Sequence, residues 1–321
     1  MTELRAGMVL DDATFGPMTE SLRRDLLVHC YRFSGSFTEA EDLVQETLAK
    51  AWRARAGYRG EAGLRTWLRR IATRVCLDAM RSNRSRRTLP SVAGEDNGHE
   101  VLWLDPLPDH LLADVEADPA AAYDLRESVS LAFLTALQRL PARQRAVLIL
   151  RDVLALRATE VASQLDISES SVTSLLHRAR QTMRKDGARS RTPAPTDAST
   201  ADLLHRYVRA WGSGDVQALL ALLKRDATLE MPPIAFAPAG LAAIGAFLAD
   251  GILDGTAGRW HAVPTAANGG PAVAMYERTA DGYAFIGVHL LAIDGDAIGV
   301  VTAFMDAGMA GRFEVPATLA A

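Results

Sequence analysis

Cysteine is almost missing from this 321-residue chain, which has only Cys30 and Cys76. Neither has a second cysteine or a histidine at metal-ligand spacing, so no zinc site is expected, and a reduced, cytoplasmic setting is. Long apolar runs are also missing. None approaches the roughly 20 residues that a membrane span needs, and the opening MTELRAGMVLDDATFG is acidic and has no signal-peptide apolar core. No membrane partner is expected. No proline falls between Pro17 and Pro90, no fixed-period repeat occurs, and no G-x-S-x-G nucleophile motif is present.

The chain does have enough apolar side chains for real cores, at 49%, which excludes global disorder. Its net charge of −4 argues against a general polyanion binder, yet the charge is sorted into blocks. Residues 50–87 hold 12 basic and 2 acidic side chains, and residues 95–127 hold 10 acidic and 1 basic. Such segregation speaks of partners. Composition divides the chain into helical segments at 1–87 and 121–187, linkers at 88–120 and 188–200, and a Gly/Ala-richer segment at 201–321.

The stretch RATEVASQLDISESSVTSLLHRARQTM (157–183) predicts a helix-turn-helix. Val161, Ala162 and Leu165 mark one face of a short helix. Asp166, Ile167 and Ser168 form the turn, with Ser168 as N-cap. Val172, Leu175, Leu176, Ala179 and Met183 form one apolar stripe on the second helix. Its other face carries Ser170, Ser171, Thr173, Ser174, His177, Arg178 and Arg180. Short hydroxyls near a helix N-terminus allow close approach to base edges and phosphates, and arginines farther along suit phosphate or guanine. Upstream, LPARQRAVLILRDVLALRATEVA (140–162) begins a further helix at Pro141.

Together these residues resemble region 4 of the σ70-type initiation factors. FTEAEDLVQETLAKAWRA (37–54) and GYRGEAGLRTWLRRIATRVCLDAMRSNRSRR (57–87) resemble region 2 of their extracytoplasmic-function (ECF) subfamily. The resemblance implies two all-α domains that join core RNA polymerase, through its β′ clamp helices and β flap, to promoter DNA. Asp42, Gln45 and Glu46 would meet the clamp. Tyr58, Arg59, Arg65, Arg69, Arg70 and Arg74 would hold the melted −10 strand by phosphate tracking and base stacking; Arg74 stands where the family usually carries asparagine. Ser170, Ser171, Thr173, Ser174, His177 and Arg178 would read the −35 duplex. These two surfaces are expected to be separate, joined by the acidic linker, which is either a passive spacer or is anchored by its VLWL and LPDHLL on basic surface of the factor or in a polymerase channel.

The last segment opens with two helices broken at Gly212–Gly214, then a strand near 227–231, a short helix at 241–252, and four strand-like runs with turn signals at Asp281-Gly282 and Asp294-Gly295. Helices followed by an antiparallel sheet make an α+β cone. W..GD...L..LL..DA..EMPP and the late F strand resemble the SnoaL-like branch of the NTF2-like superfamily. That implies a cavity, with Tyr207, Trp211, Met231, His261, Tyr276, His289 and Phe304 as candidate lining. A regulatory role, with a small ligand or an anti-sigma partner, is expected for it. No cofactor, no metal and no catalytic residue is expected. The alternative is a DNA-binding regulator fused to a SnoaL-like isomerase or cyclase-type enzyme; the acidic face of 37–54 discriminates, since it suits a protein partner and not DNA.

Overall fold

The computed structural model describes residues 10–60, 62–83, 104–112, 119–185, 197–234 and 236–320. They form two compact units, 10–83 with 111–185 and 104–110 with 197–320. The expected linker residues 88–103, 113–118 and 188–196, including most of VLWL, lie outside the described residues.

The first unit is helical. Its first half comprises α1 (Phe15–Glu20), α2 (Arg23–Ser34), α3 (Phe37–Ala54) and α4 (Leu64–Asn83). Gly35 ends α2 with a left-handed φ of +72°, a conformation glycine adopts without a Cβ penalty. Ser36 then caps α3, its Oγ accepting from the Glu39 N–H at 3.3 Å. Ten of the twelve residues of α2 are buried, Asp25, His29 and Arg32 among them; this helix is the post around which the others pack. Cys30 and Cys76 are free thiols buried in this core. Burial and the neighbouring Cys30 thiol push the Cys76 thiol up, so it is an unreactive packing residue.

The second half comprises α5 (Pro119–Glu127), α6 (Leu131–Gln138), α7 (Ala142–Leu148, followed by a wide turn to Val153), α8 (Ala158–Leu165) and α9 (Glu169–Lys185). The two halves were expected to stand apart, but they share one unit, tied by buried polar groups. Arg145 of α7 donates to the Phe33 carbonyl at 2.6 Å and to the Gln138 carbonyl at 2.8 Å. Arg32 donates to Ser128 Oγ at 2.7 Å. Gln164 of α8 donates to Thr73 Oγ1 of α4 at 2.9 Å. A buried guanidinium or amide must find acceptors, and each half supplies those the other lacks.

In the second unit α10 (Asp197–Ser213), α11 (Val216–Leu220) and α12 (Leu241–Ala249) accompany strands β1 (Leu223–Glu230), β2 (Trp260–Ala267), β3 (Gly270–Thr279), β4 (Gly282–Asp294), β5 (Ala297–Phe304) and β6 (Thr318–Leu319). The sheet order is β1-β5-β4-β3-β2, with β6 against β4. The hairpins are antiparallel as their turn signals predicted. The sheet as a whole is mixed, however, because β1 joins the far edge beside β5 in parallel. The helices cover one face, where Tyr207, Trp211, Ile244, Leu248, Trp260, Ala262, Val273, Met275 and Val301 form the core.

Segment 104–110, expected to belong to a linker, is part of this second unit. Its place follows from one turn. Asn268 and Gly269, between β2 and β3, both have left-handed φ, +54° and +76°, the signature of a tight hairpin. That turn presents its polar groups to the segment. The Leu107 N–H donates to Asn268 Oδ1 at 3.0 Å, and the Asn268 N–H donates to the Leu107 carbonyl at 2.8 Å. Asp109 Oδ1 accepts from the Gly269 N–H at 2.8 Å, and Asp105 forms an ion pair with Arg312. Leu107 is wholly buried, a contribution of roughly 1.5–3 kcal/mol to holding the segment.

Candidate nucleic-acid interface

α9 is built as the sequence predicted. Ser168 Oγ accepts from the Ser171 N–H at 3.2 Å and fixes the helix start, while Asp166, at φ +55°, turns the chain out of α8. Val172, Leu176, Ala179 and Met183 are buried against the unit. Leu175, expected in the same stripe, is half-buried at its edge. Ser170, Thr173, Ser174, His177 and Arg178 are exposed and Ser171 is half-exposed, so the six proposed −35 residues share one outward face. Arg180 is drawn off this face by a bidentate pair with Asp152 at 3.0 and 2.6 Å, which also raises its pKa.

An open cleft of about 320 Å³ runs beside α9, lined by Arg143, Ile167, Ser170, Ser171, Ser174, Leu175 and Arg178. Arg143 comes from the first turn of α7, outside the helix-turn-helix. Nothing in the local pattern marks it, because the fold is what brings α7 beside the N-terminal half of α9.

The proposed −10 residues divide. Arg59, Arg65 and Arg74 are exposed, with no partner among the described residues. Arg69 is bound to the buried Asp25, its Nε donating to Oδ2 at 2.8 Å. Arg70 Nη2 donates to the Ser163 carbonyl on α8 at 3.2 Å. Tyr58 is buried: its ring lies 5.1 Å from that of Trp67 and its hydroxyl donates to the Ala62 carbonyl at 2.8 Å. Its place is in the packing of the loop, not on an open stacking surface. On α3, Asp42, Gln45 and Glu46 form one exposed face, with Glu46 also paired to Lys50 at 2.8 Å.

Beneath these surfaces lies a buried polar node. Thr73 Oγ1 donates to the Arg69 carbonyl (2.8 Å), so it accepts from both Gln164 Nε2 and His29 Nε2 (3.0 Å). That assigns the Nε2–H tautomer to His29. Its pKa is held well below the ordinary value by burial first, then by the charges of Arg69 and Arg32.

In the second unit the proposed pocket residues do not converge. Tyr207, Trp211 and His289 meet on the helix-covered face, with Tyr207 Oη 2.9 Å from His289 Nδ1, and Met231 packs at the edge of that core. Burial pushes His289 down to about 4 and the Tyr207 phenol up, so both are neutral near pH 7. The other three lie on the opposite face. His261 alternates with the inward Trp260 and Ala262 and is exposed. Tyr276 alternates with the inward Met275, and its hydroxyl donates to the Pro316 carbonyl at 3.0 Å. Phe304 pairs with Val288, one residue out of phase with the inward His289. Strand alternation accounts for the split. Asn268 and Arg312, which hold segment 104–110, were not singled out by sequence. The Asn-Gly dipeptide signals the turn, but its partner is 161 residues away.

Among the described residues no group of three His, Cys, Asp or Glu side chains could hold a metal ion, and no helix is long and apolar enough to cross a membrane.

Comparison with known proteins matches residues 18–86 to Sigma-70 region 2, 130–183 to Sigma-70 region 4, and 204–301 to the SnoaL-like domain. The ECF RNA polymerase sigma factor SigG of Mycobacterium tuberculosis is 43% identical over 317 residues, 95% of this chain and 85% of that protein. The ECF RNA polymerase sigma factor SigJ of the same organism is 30% identical over 227 residues, 70% of this chain and 67% of that one. A crystal structure of SigJ superposes with a TM-score of 0.62 over 94% of this chain and 99% of the other, at 21% identity, a likeness of fold.

Proposed function

Because this chain belongs to the ECF RNA polymerase sigma factor family, we propose that it works in the cytoplasm as a promoter-specificity subunit whose C-terminal domain restrains it by holding the linker between its two DNA-binding regions. The exposed face of Asp42, Gln45 and Glu46 engages the β′ clamp helices of core RNA polymerase, and region 4 meets the β flap. Arg59, Arg65 and Arg74 track the melted −10 strand, joined by Arg70 once it leaves Ser163. The outward face of α9 reads the −35 duplex.

The observation that carries the restraint is the seat of Leu107 on the Asn268–Gly269 turn, with Asp105 paired to Arg312. A linker held there is not free to enter a channel of the polymerase. A small ligand or an anti-sigma protein that shifts this seat would set the activity. In this reading the C-terminal domain does no chemistry: Tyr207 and His289 are buried, neutral and bonded to each other, which suits packing and not proton transfer.

Run-off transcription with core polymerase tests both parts. The full chain is expected to confer start-site selection. Leu107→Asp and truncation after Lys185 are expected to raise transcript yield. Yields unchanged in both variants overturn the restraint, and a full chain that neither binds core polymerase nor selects a start site overturns the sigma-factor role.

A further inference from the structure

We propose that Arg143 anchors a backbone phosphate of the −35 duplex in the cleft beside α9, a role additional to the recognition helix; this rests on the −35 reading above. Two guanidinium groups from different helices, Arg143 of α7 and Arg178 of α9, border that cleft, which Ser170, Ser171 and Ser174 also line; the Ser170 and Ser171 hydroxyls lie 2.9 and 2.8 Å from Ser168 Oγ. Among the described residues no carboxylate lines it. Both arginines are exposed and neither has an ion-pair or hydrogen-bond partner among the described residues. Their neighbours are engaged: Arg145 binds the Phe33 and Gln138 carbonyls, Arg151 the Leu156 carbonyl, Arg157 Glu160, and Arg180 Asp152.

Two cations without a partner among the described residues, the Ser174 hydroxyl and the positive end of a 17-residue helix make a seat for an anion. The two arginines differ in what they can reach. Arg178 stands on the recognition helix and follows it into the groove, where base edges lie. Arg143 stands on a flanking helix, at the groove wall, where the sugar-phosphate backbone runs. Arg143 therefore fixes position and Arg178 reads sequence.

The test uses holoenzyme assembled from core RNA polymerase and the full chain. The probes are a duplex that the wild-type holoenzyme selects from a pool randomised at −35, and an unselected duplex of the same length. Arg143→Ala is expected to weaken binding about fivefold to tenfold by the same factor on both duplexes, and to flatten the salt dependence between about 50 and 200 mM by roughly one unit of log–log slope. Arg143→Lys is expected to restore the slope. Arg178→Ala is expected to cost more on the selected duplex than on the other. Unchanged affinity and slope in Arg143→Ala overturn the assignment, as does a loss confined to the selected duplex, which would make Arg143 a reader of bases. A wild-type holoenzyme that selects no −35 sequence overturns the −35 reading itself, a result separate from either of these.

Discussion

α4 and α9 are both long, amphipathic and rich in arginine, yet they spend their cations in opposite directions. On α4, Arg69 is consumed by Asp25 and Arg70 is engaged with Ser163, while Arg65 and Arg74 face solvent. On α9 the proposed contact residues all face outward, and Arg180 is the one recruited by an acid of the fold. A run of arginines thus reports a nucleic-acid surface only to the extent that the fold leaves those side chains unused. α4 is both scaffold and surface, because it lies against α2 with its buried Asp25 and against α8. α9 turns only its apolar stripe inward, so its polar face, Arg180 apart, is turned outward.

The sharpest way to break this contrast is to remove one arginine from each helix. Arg69→Ala leaves the Asp25 carboxylate, only 6% exposed in its side chain, without its cation, and is expected to destabilise the first unit by roughly 3 kcal/mol. Arg178→Ala is expected to leave stability within about 0.5 kcal/mol while weakening −35 binding by roughly 1–3 kcal/mol. Thermal unfolding of the two variants checks this; equal losses of stability would erase the distinction.

Acid probes the same contrast from the buried side. His29, beneath α4, has its folded pKa held well below the unfolded value by burial and by Arg69 and Arg32. The unfolded chain therefore takes up the proton first. The stability is fully present above about pH 6.5 and falls below it, by up to about 1.4 kcal/mol per pH unit. Urea midpoints of the first unit, followed by amide exchange in α2 and α4, are expected to decline from pH 6.5 to 5, and His29→Gln to remove most of the slope. His289, pushed down to about 4 by burial, predicts a similar decline in the C-terminal unit. That decline is expected to survive His29→Gln, and so separates the two units.

What was legible in the sequence was local. The α9 stripe, the Ser168 cap and the hairpin turns are set by residues within a few positions of one another, where periodicity and turn chemistry suffice. What was not legible depends on pairs far apart in the chain. Arg69 meets Asp25 across 44 residues and Gln164 meets Thr73 across 91, and nothing in either stretch names its partner. Tyr58 reads as an exposed aromatic between glycines, but the loop folds back and places it against Trp67. The outer placing of His261 is legible in strand alternation, since it sits between Trp260 and Ala262, whereas residue type alone does not distinguish the two faces. Segment 104–110 reads as linker because its composition is linker-like, and its seat is created by a turn whose shape, not composition, supplies the complementary groups.

The smallest expected effects test whether the two proposed DNA-binding halves come apart. Gln164→Ala removes one donor from Thr73 Oγ1, but Thr73 keeps His29 as donor and the Arg69 carbonyl as acceptor. Among the described residues no further buried group loses its last partner, so the cost is about 1 kcal/mol. Arg70→Ala removes only an exposed bond to the Ser163 carbonyl and is expected to change stability by less than about 0.5 kcal/mol. If α4 and α8 separate when the holoenzyme opens a promoter, Gln164→Ala loosens the closed arrangement and leaves every proposed DNA contact intact. Arg70→Ala loosens it too but also removes a cation proposed to track the −10 strand. Permanganate footprinting of the melted strand is therefore expected to be undiminished in Gln164→Ala and weakened in Arg70→Ala, although the first variant is the less stable. The reverse order would mean that Arg70 belongs wholly to the scaffold, as Arg69 does, and that the open −10 surface of α4 is narrower than its arginine content suggests.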